Sequence, residues 1–306
     1  MEIALIHYPA ALKSALYGIE EMLEMANAVG GDSGCYFEVK HLNAMEITTF
    51  NERRYNFVFI PPAQVSSYYL KPDEALLDWL RVQNLHGAVI CSACAGAFIL
   101  AATGLTKEHS ITTHWGLAEQ LRELYPDQQI DSDKILINET EVITAGGMMS
   151  WIDLGLELIK VGFDLQVMRK VGKNLVIDTA PRDQRFYQQF SPNLAHGDTL
   201  VLSVQKHIHT QFNYPLKIRS LAEEFNLSER TLLRRFQSAT GLKPSEYISH
   251  YRIHKCCELL ETTRKSFESI VCEIGYEDVS TCRKAFKRIM GLSPAAFRKR
   301  FTDSFA

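Results

Sequence analysis

Apolar and polar positions recur along this chain with two different periods, and the pattern changes character once. Through roughly the first 180 residues, short apolar runs at 3–7 (IALIH), 36–42 (YFEVKHL), 56–60 (NFVFI), 87–91 (GAVIC) and 141–145 (EVITA) predict strands. Stretches at 14–28, 72–83, 95–103, 115–124 and 149–162 repeat every three to four residues and predict helices, and 164–177 continues in the same way. Strands that alternate with helices and are apolar throughout predict a mostly parallel sheet covered on both faces, an open α/β sandwich over residues 1–180. The stretch 178–193 (DTAPRDQRFYQQFSPN) is polar, holds two prolines and has little periodicity. It predicts a linker, placed at 181–197, in which Phe186, Tyr187 and Phe190 pack. From 198 to 306 only helical patterns follow.

That last third contains a repeat. In IRSLAEEFNLSERTLLRRFQSATG (218–241), Leu221, Ala222 and Phe225 form one apolar face, Asn226 and Leu227 a tight turn, and Ser228 an N-cap for a second helix. There Leu232 and Phe236 point inward, while Arg230, Leu233, Arg234 and Gln237 share the opposite side, with Thr231 near its start. Gly241 is the expected stop. About fifty residues on, FESIVCEIGYEDVSTCRKAFKRIMG (267–291) repeats the plan. Ile270, Val271 and Ile274 form the first face, Gly275 allows the turn and Asp278 caps. Cys282, Phe286 and Ile289 point inward; Ser280, Thr281, Arg283, Lys284 and Lys287 point out. Between the units, PSEYISHYRIHKCCELLE (244–261) predicts one helix starting at Pro244, a rod of roughly 25 Å at 1.5 Å per residue. Such a rod can set two recognition helices about one DNA turn (~34 Å) apart, in successive major grooves.

Charge sharpens this picture. Residues 200–306 hold 18 Lys and Arg against 11 Asp and Glu, whereas residues 1–199 hold 15 against 25. A basic third on an acidic remainder points to a polyanion as the partner of the basic part alone. Guanidinium groups of Arg230, Arg234 and Arg283 suit guanine edges or phosphates, and the ammonium groups of Lys284 and Lys287 suit phosphates. With 306 residues, two domains are expected. Seven cysteines without framework spacing suggest reduced thiols in the cytosol, with no signal peptide and no apolar run of the ~20 residues that a membrane span needs.

On these residues, SIVCEIGYEDVSTCRKAFKRIMGLSPAAFRKR resembles the signature of AraC/XylS-type transcription regulators, over about 200–302. The signature usually has Phe where this chain has Cys282 and often Arg where it has Lys284. The resemblance therefore implies a looser second core and a first unit that reads more of the sequence.

The remaining chemistry lies in VICSACAGAFIL (89–100). On an extended strand Cys91 and Cys94 stand roughly 10 Å apart, too far for a disulfide, so Cys91 reads as a small buried hydrophobe. Cys94, followed by Ala95 and Gly96, falls where a strand turns sharply into a helix. A helix N-terminus there predicts a lowered thiol pKa. His114, next to Trp115, is expected to meet Cys94 at the carboxyl edge of the sheet. CSACAGAFILAATGL followed by TTHW is similar to the PfpI-like branch of the class I glutamine amidotransferase superfamily. Within it the likeness is to the sensor domain of GlxA-like regulators. That resemblance implies a flavodoxin-like fold over most of 1–180, with Cys94 at the nucleophile position and His114 at the histidine position. Active relatives carry an acidic residue after the first strand; this chain has Ser14 or Ala15 there, with Glu20 and Glu21 farther along. Cys94 and His114 are therefore expected to be vestigial, and Cys94, Ala95, Gly96, His114 and Trp115 to line a ligand site.

These readings converge on a bacterial, cytoplasmic, nucleoid-associated regulator that binds double-stranded DNA. Its α/β domain is expected to dimerise, to sense a small molecule such as an amino acid or another nitrogenous metabolite, or both, with RNA polymerase as a further partner. No cofactor is expected. No metal is expected either: His250 and His254 stand four apart but have only Cys256 and Cys257 beside them. The competing readings are a cysteine-dependent amidase, hydrolase or glyoxalase-like enzyme with a DNA-binding tail, and a ligand-independent architectural DNA binder.

Overall fold

A computed structural model describes residues 1–31, 34–48, 53–64 and 67–302. The chain divides into two compact units, Met1–Gln184 and Arg185–Ala306.

The first unit runs β1 (Glu2–His7), α1 (Lys13–Val29), β2 (Glu38–Asn43), β3 (Phe57–Ile60), α2 (Glu74–Leu85), β4 (Val89–Ala93), α3 (Gly96–Ala102), β5 (Ser110–Ile111), α4 (Ala118–Leu124), β6 (Gln129–Ile130), β7 (Leu136–Asn138), β8 (Val142–Ala145), α5 (Trp151–Gly162) and α6 (Leu165–Asn174). Six strands form a sheet in the order β2-β1-β3-β4-β8-β7, parallel except for the β7–β8 pair. β5 and β6 form a separate parallel pair. Strand residues alternate between two cores. Ala4, Ile6, Val58, Ile60 and Ile90 pack against α2 and α3 on one face. Ile3, Leu5, Phe57, Phe59 and Cys91 pack against α1, α5 and α6 on the other. Burial on both faces is why these strands read as unbroken apolar runs. β7 escapes the sequence reading because three half-exposed residues are too few to show a period. β4 runs to Ala93, two residues past its predicted end, so Cys94 is the first residue off the strand.

The second unit is helical: α7 (Thr199–Gln211), α8 (Ile218–Glu224), α9 (Glu229–Thr240), α10 (Pro244–Thr262), α11 (Phe267–Glu273), α12 (Val279–Met290) and α13 (Pro294–Phe301). Residues 181–197 divide between the units. Arg182 pairs with Asp153 at 2.7 Å, and Gln184 is buried in the first unit. Phe186, on a short 3-10 turn, enters the core of the second unit, with the Arg300 guanidinium 4.4 Å above its ring. Phe190 packs edge-on against Tyr247.

The duplication is visible in the backbone. α8 and α9 meet at Asn226 (φ 54°), and α11 and α12 at Gly275 (φ 80°). Asn is among the few non-glycine residues that adopt the left-handed conformation readily, so the two turns use the two cheapest solutions. Both second helices stop at left-handed glycines, Gly241 (φ 74°) and Gly291 (φ 76°).

Space separates otherwise similar glycines. A Cβ on Gly241 meets nothing within 4 Å, whereas one on Gly275 would stand 2.6 Å from the Phe212 carbonyl oxygen. Gly241→Ala is therefore expected to cost about 1–2 kcal/mol for its φ alone. Gly275→Ala should cost about 1–3 kcal/mol more for the clash. Native-state hydrogen exchange of the α10 amides measures both, and equal losses would remove the steric argument.

Candidate functional site

Each second helix of the tail is amphipathic and capped. Ser228 accepts a hydrogen bond from the Thr231 amide, and Asp278 accepts one from the Thr281 amide at 2.6 Å. Leu232 and Phe236 of α9 are fully buried with Leu221, Ala222 and Tyr247. Cys282 and Phe286 of α12 are fully buried with Ile270, Val271 and Phe297. The opposite faces are open. Arg230, Arg234 and Gln237 are exposed on α9, with Thr231 and Leu233 half-buried beside them. On α12 Ser280, Thr281, Arg283, Lys284 and Lys287 are all exposed. Among the described residues, Arg230 and Arg234 make no ion pair. Arg283 stands 3.7 Å from Glu268 and 5.5 Å over the Phe267 ring, a loose exposed pairing that leaves it available. Cys282 and Cys256 are both fully buried in the same core.

Three basic residues outside the sequence reading belong to this surface or support it. A groove of about 720 Å³ between α10 and α12 is lined by Lys243, Arg252, Lys284 and Arg288, with Glu246 as the acidic member. Arg252 is half-buried there and donates to the carbonyls of Phe212 and Tyr214, both at 2.8 Å. Arg235 is the contrasting case. It follows Arg234 directly, yet turns inward and forks onto Asp198, the N-cap of α7, at 3.0 and 2.7 Å. That guanidinium holds the Asp198 carboxyl below the usual range. Helical periodicity could have separated Arg234 from Arg235, but only the acidic partner shows why the second is committed.

In the first unit, Cys94 occupies the sharp turn between β4 and α3. Its backbone is left-handed (φ 52°), a strained state for a residue with a Cβ. Its amide donates to the Ala145 carbonyl at 2.8 Å, and its carbonyl accepts from the Thr113 hydroxyl at 2.8 Å. Ala95 and Gly96 are buried, and a Cβ on Gly96 would stand 2.5 Å from the Ile60 carbonyl oxygen. The geometry is that of an elbow, but the electrostatics reverse the expectation. The thiol is 2% exposed, and burial pushes its pKa up to about 11 against the weaker pull of the Ala95 amide. A helix of seven residues is too short and too buried at its start to win.

His114 is half-buried, with its pKa lowered by burial, and its Nδ1 accepts from the Gly116 amide at 3.0 Å. Among the described residues no hydrogen bond joins it to Cys94. Trp115 lies against it, ring centroids 5.2 Å apart. Ala15 is fully buried, and Glu20 bonds to His41 instead. Sequence reasoning missed Gln184. Fully buried, it donates to the Thr113 carbonyl at 2.8 Å and the Lys134 carbonyl at 3.0 Å and accepts from the Trp115 amide at 3.3 Å. It pins the loop that carries His114 and Trp115. A lone glutamine gives no sequence signal for such a role.

Two segments match known families: residues 221–300 match the helix-turn-helix domain and residues 20–161 the DJ-1/PfpI family. The HTH-type transcriptional regulator CdhR of Pseudomonas aeruginosa is 26% identical over 225 residues, covering 73% of this chain and 67% of CdhR. The HTH-type transcriptional regulator GlxA of Rhizobium meliloti is 24% identical over 226 residues, covering 72% of this chain and 68% of GlxA. A crystal structure of a protein from Vibrio parahaemolyticus overlays 57% of this chain and 98% of its own with a TM-score of 0.52 at 19% identity, which shows a shared fold.

A buried thiol with a pKa near 11 should be slow to alkylate. At pH 7.5 iodoacetamide is expected to label exposed Cys272 more than about tenfold faster than Cys94, with the Cys94 rate still climbing above pH 9. A Cys94 rate that levels off below pH 8 would instead reveal a stabilised thiolate.

Proposed function

We propose that this chain, which joins a DJ-1/PfpI domain to an AraC-type helix-turn-helix domain, is a DNA-binding transcription regulator whose α/β domain binds and does not catalyse. The observation that carries the reading is the duplicated helix pair, with two capped recognition helices, α9 and α12, presenting basic faces from one connecting helix. α10 has 19 residues, about 28 Å of helix, which suits recognition helices in successive major grooves. Arg230 and Arg234 of the first helix pair are the base readers; Lys284 and Lys287 of the second pair, with Lys243 and Arg288 in the groove between α10 and α12, hold phosphates.

For the α/β domain, burial of Cys94, the absence of a carboxyl at Ala15 and the engagement of His114 with Gly116 support a binding role over turnover. The ligand region inherited from the elbow comprises Cys94, Ala95, Gly96, His114 and Trp115, and its opening would need movement of the loop held by Gln184. The same domain serves as the homodimer surface. RNA polymerase is the partner at the promoter, and the bacterial cytoplasm beside the nucleoid is the site of action. No helix among the described residues is long and apolar enough to cross a membrane. A ligand alters output only through different affinities for two states of the protein.

Footprinting with the purified chain, with and without metabolite extract, tests the reading directly. Arg234→Ala is expected to weaken operator binding by about 1–3 kcal/mol and relax preference at one base pair, with folding intact. Arg235→Ala should act in reverse, costing about 1 kcal/mol of stability through the lost Asp198 pair while sparing base preference. Lys287→Ala should weaken all sequences alike and reduce the salt slope by about 0.9. No salt-sensitive binding to any duplex would end the proposal.

A further inference from the structure

A polar cluster in the first unit takes no part in the Cys94 turn. It lies at the carboxyl ends of β1 and β2, where open α/β sheets place ligands. His7 Nε2 lies 2.6 Å from His41 Nδ1, and His41 Nε2 lies 3.0 Å from Glu20 Oε2 on α1. The Tyr17 ring stacks on His41 with centroids 5.2 Å apart.

The chain of bonds fixes the tautomers of the neutral pair. An ionised carboxylate only accepts, so His41 donates to Glu20 from Nε2. Its Nδ1 is then an acceptor, and His7 donates to it from Nε2. His7 Nδ1 is left as a lone pair with no partner among the described residues. His7 lines a cavity of about 470 Å³ with Pro9, Leu42, Asn43, Met45 and Glu46. Asn43 donates to Glu46 Oε1 at 2.8 Å, which holds that carboxylate and leaves Oε2 unengaged among the described residues. The nearby Tyr8 hydroxyl is already committed, donating to the Pro61 carbonyl at 2.6 Å.

Among the described residues the open side-chain acceptors are His7 Nδ1 and Glu46 Oε2, one of them charged, the second Asn43 Nδ2 hydrogen is the open donor, and neither Lys nor Arg lines the cavity. A carboxylate ligand would meet acceptors and no cation. An ammonium group, with three donors and a positive charge, satisfies both acceptors. We propose that this cavity binds a small primary amine without a carboxylate, its ammonium donating to His7 Nδ1 and Glu46 Oε2 and its alkyl chain lying along Leu42 and Met45. This site goes beyond the DNA-binding reading and does not depend on it.

Binding requires unprotonated His7. Burial, and next the neighbouring His41, lower its pKa, while Glu20 opposes them. Tyr17, Tyr8 and Glu46 are the other titratable side chains around it. Amine affinity is expected to stay flat from pH 8 down to about 6.5, the ordinary imidazole value, and to fall below it.

Calorimetric titration of the full chain with butane-1,4-diamine at pH 8, in the absence of DNA, is the test. Saturable binding is expected, with none for butyrate. Glu46→Gln changes an exposed side chain and should weaken the diamine about tenfold. His7→Gln should bind more weakly and lose the fall in acid. Absence of saturable heat with the unaltered chain, unchanged affinity in Glu46→Gln, or equal binding of butyrate would each overturn the site. Because no DNA enters the measurement, failure here leaves operator binding untouched, and failure of operator binding leaves this result standing.

Discussion

One helix organises the DNA-binding unit. α10 buries Tyr247 and Ile248 in the first core and Ile253, Cys256, Cys257 and Leu260 in the second. Each fully buried aliphatic or aromatic side chain contributes roughly 1.5–3 kcal/mol, so the two ends of the helix are held independently and strongly. Since α9 packs on one end and α12 on the other, the relation between the two recognition helices is set by a rigid rod and not by a loop. Tyr247 is the densest node. Phe236 and Phe190 meet its ring edge-on, Gln205 donates to its hydroxyl, and His209 lies within hydrogen-bond distance of it at 2.8 Å. Burial of that hydroxyl raises its pKa to about 12 against the opposing pull of the Gln205 hydrogen bond.

The same rod explains why the basic surface is divided as it is. Arg252, at mid-helix, spends its charge on two carbonyls and the Tyr276 ring, tying the loop after α7 to the second helix pair. Arg235 spends its charge on the α7 cap. The cations left over face outward from α9, α12 and the groove between α10 and α12. A basic composition thus resolves into structural cations, each with an acceptor at under 3 Å, and a smaller set available to a polyanion.

In the α/β unit a strained turn survives without the electrostatics that usually accompany it. Cys94 keeps its left-handed backbone because the Ala145 carbonyl, the Thr113 hydroxyl and the close approach of Gly96 to β3 hold it there. The macrodipole of a short helix is worth about 0.3–1 kcal/mol, less than the desolvation of a thiolate in a closed site. Burial decides the matter and leaves a neutral thiol. The carboxyl edge of the sheet retains polar chemistry elsewhere, in the Glu20–His41–His7 relay beside an open cavity.

Periodicity alone determined the two-part plan, the five principal strands, the tandem helix pairs and their caps, because each rests on neighbours within one or two helical turns or strand repeats. It determined too that Leu232, Phe236, Cys282 and Phe286 face inward. What it left open depends on residues far apart in the chain. The choice between Arg234 and Arg235 turns on Asp198, the anchoring of the Trp115 loop on Gln184, and the relay at His7 on β1 lying beside β2. The Cys94 thiol departs from the sequence expectation for the same reason. Its spacing in the sequence reveals a turn and a dipole, whereas its pKa is set by the desolvation that three-dimensional packing imposes.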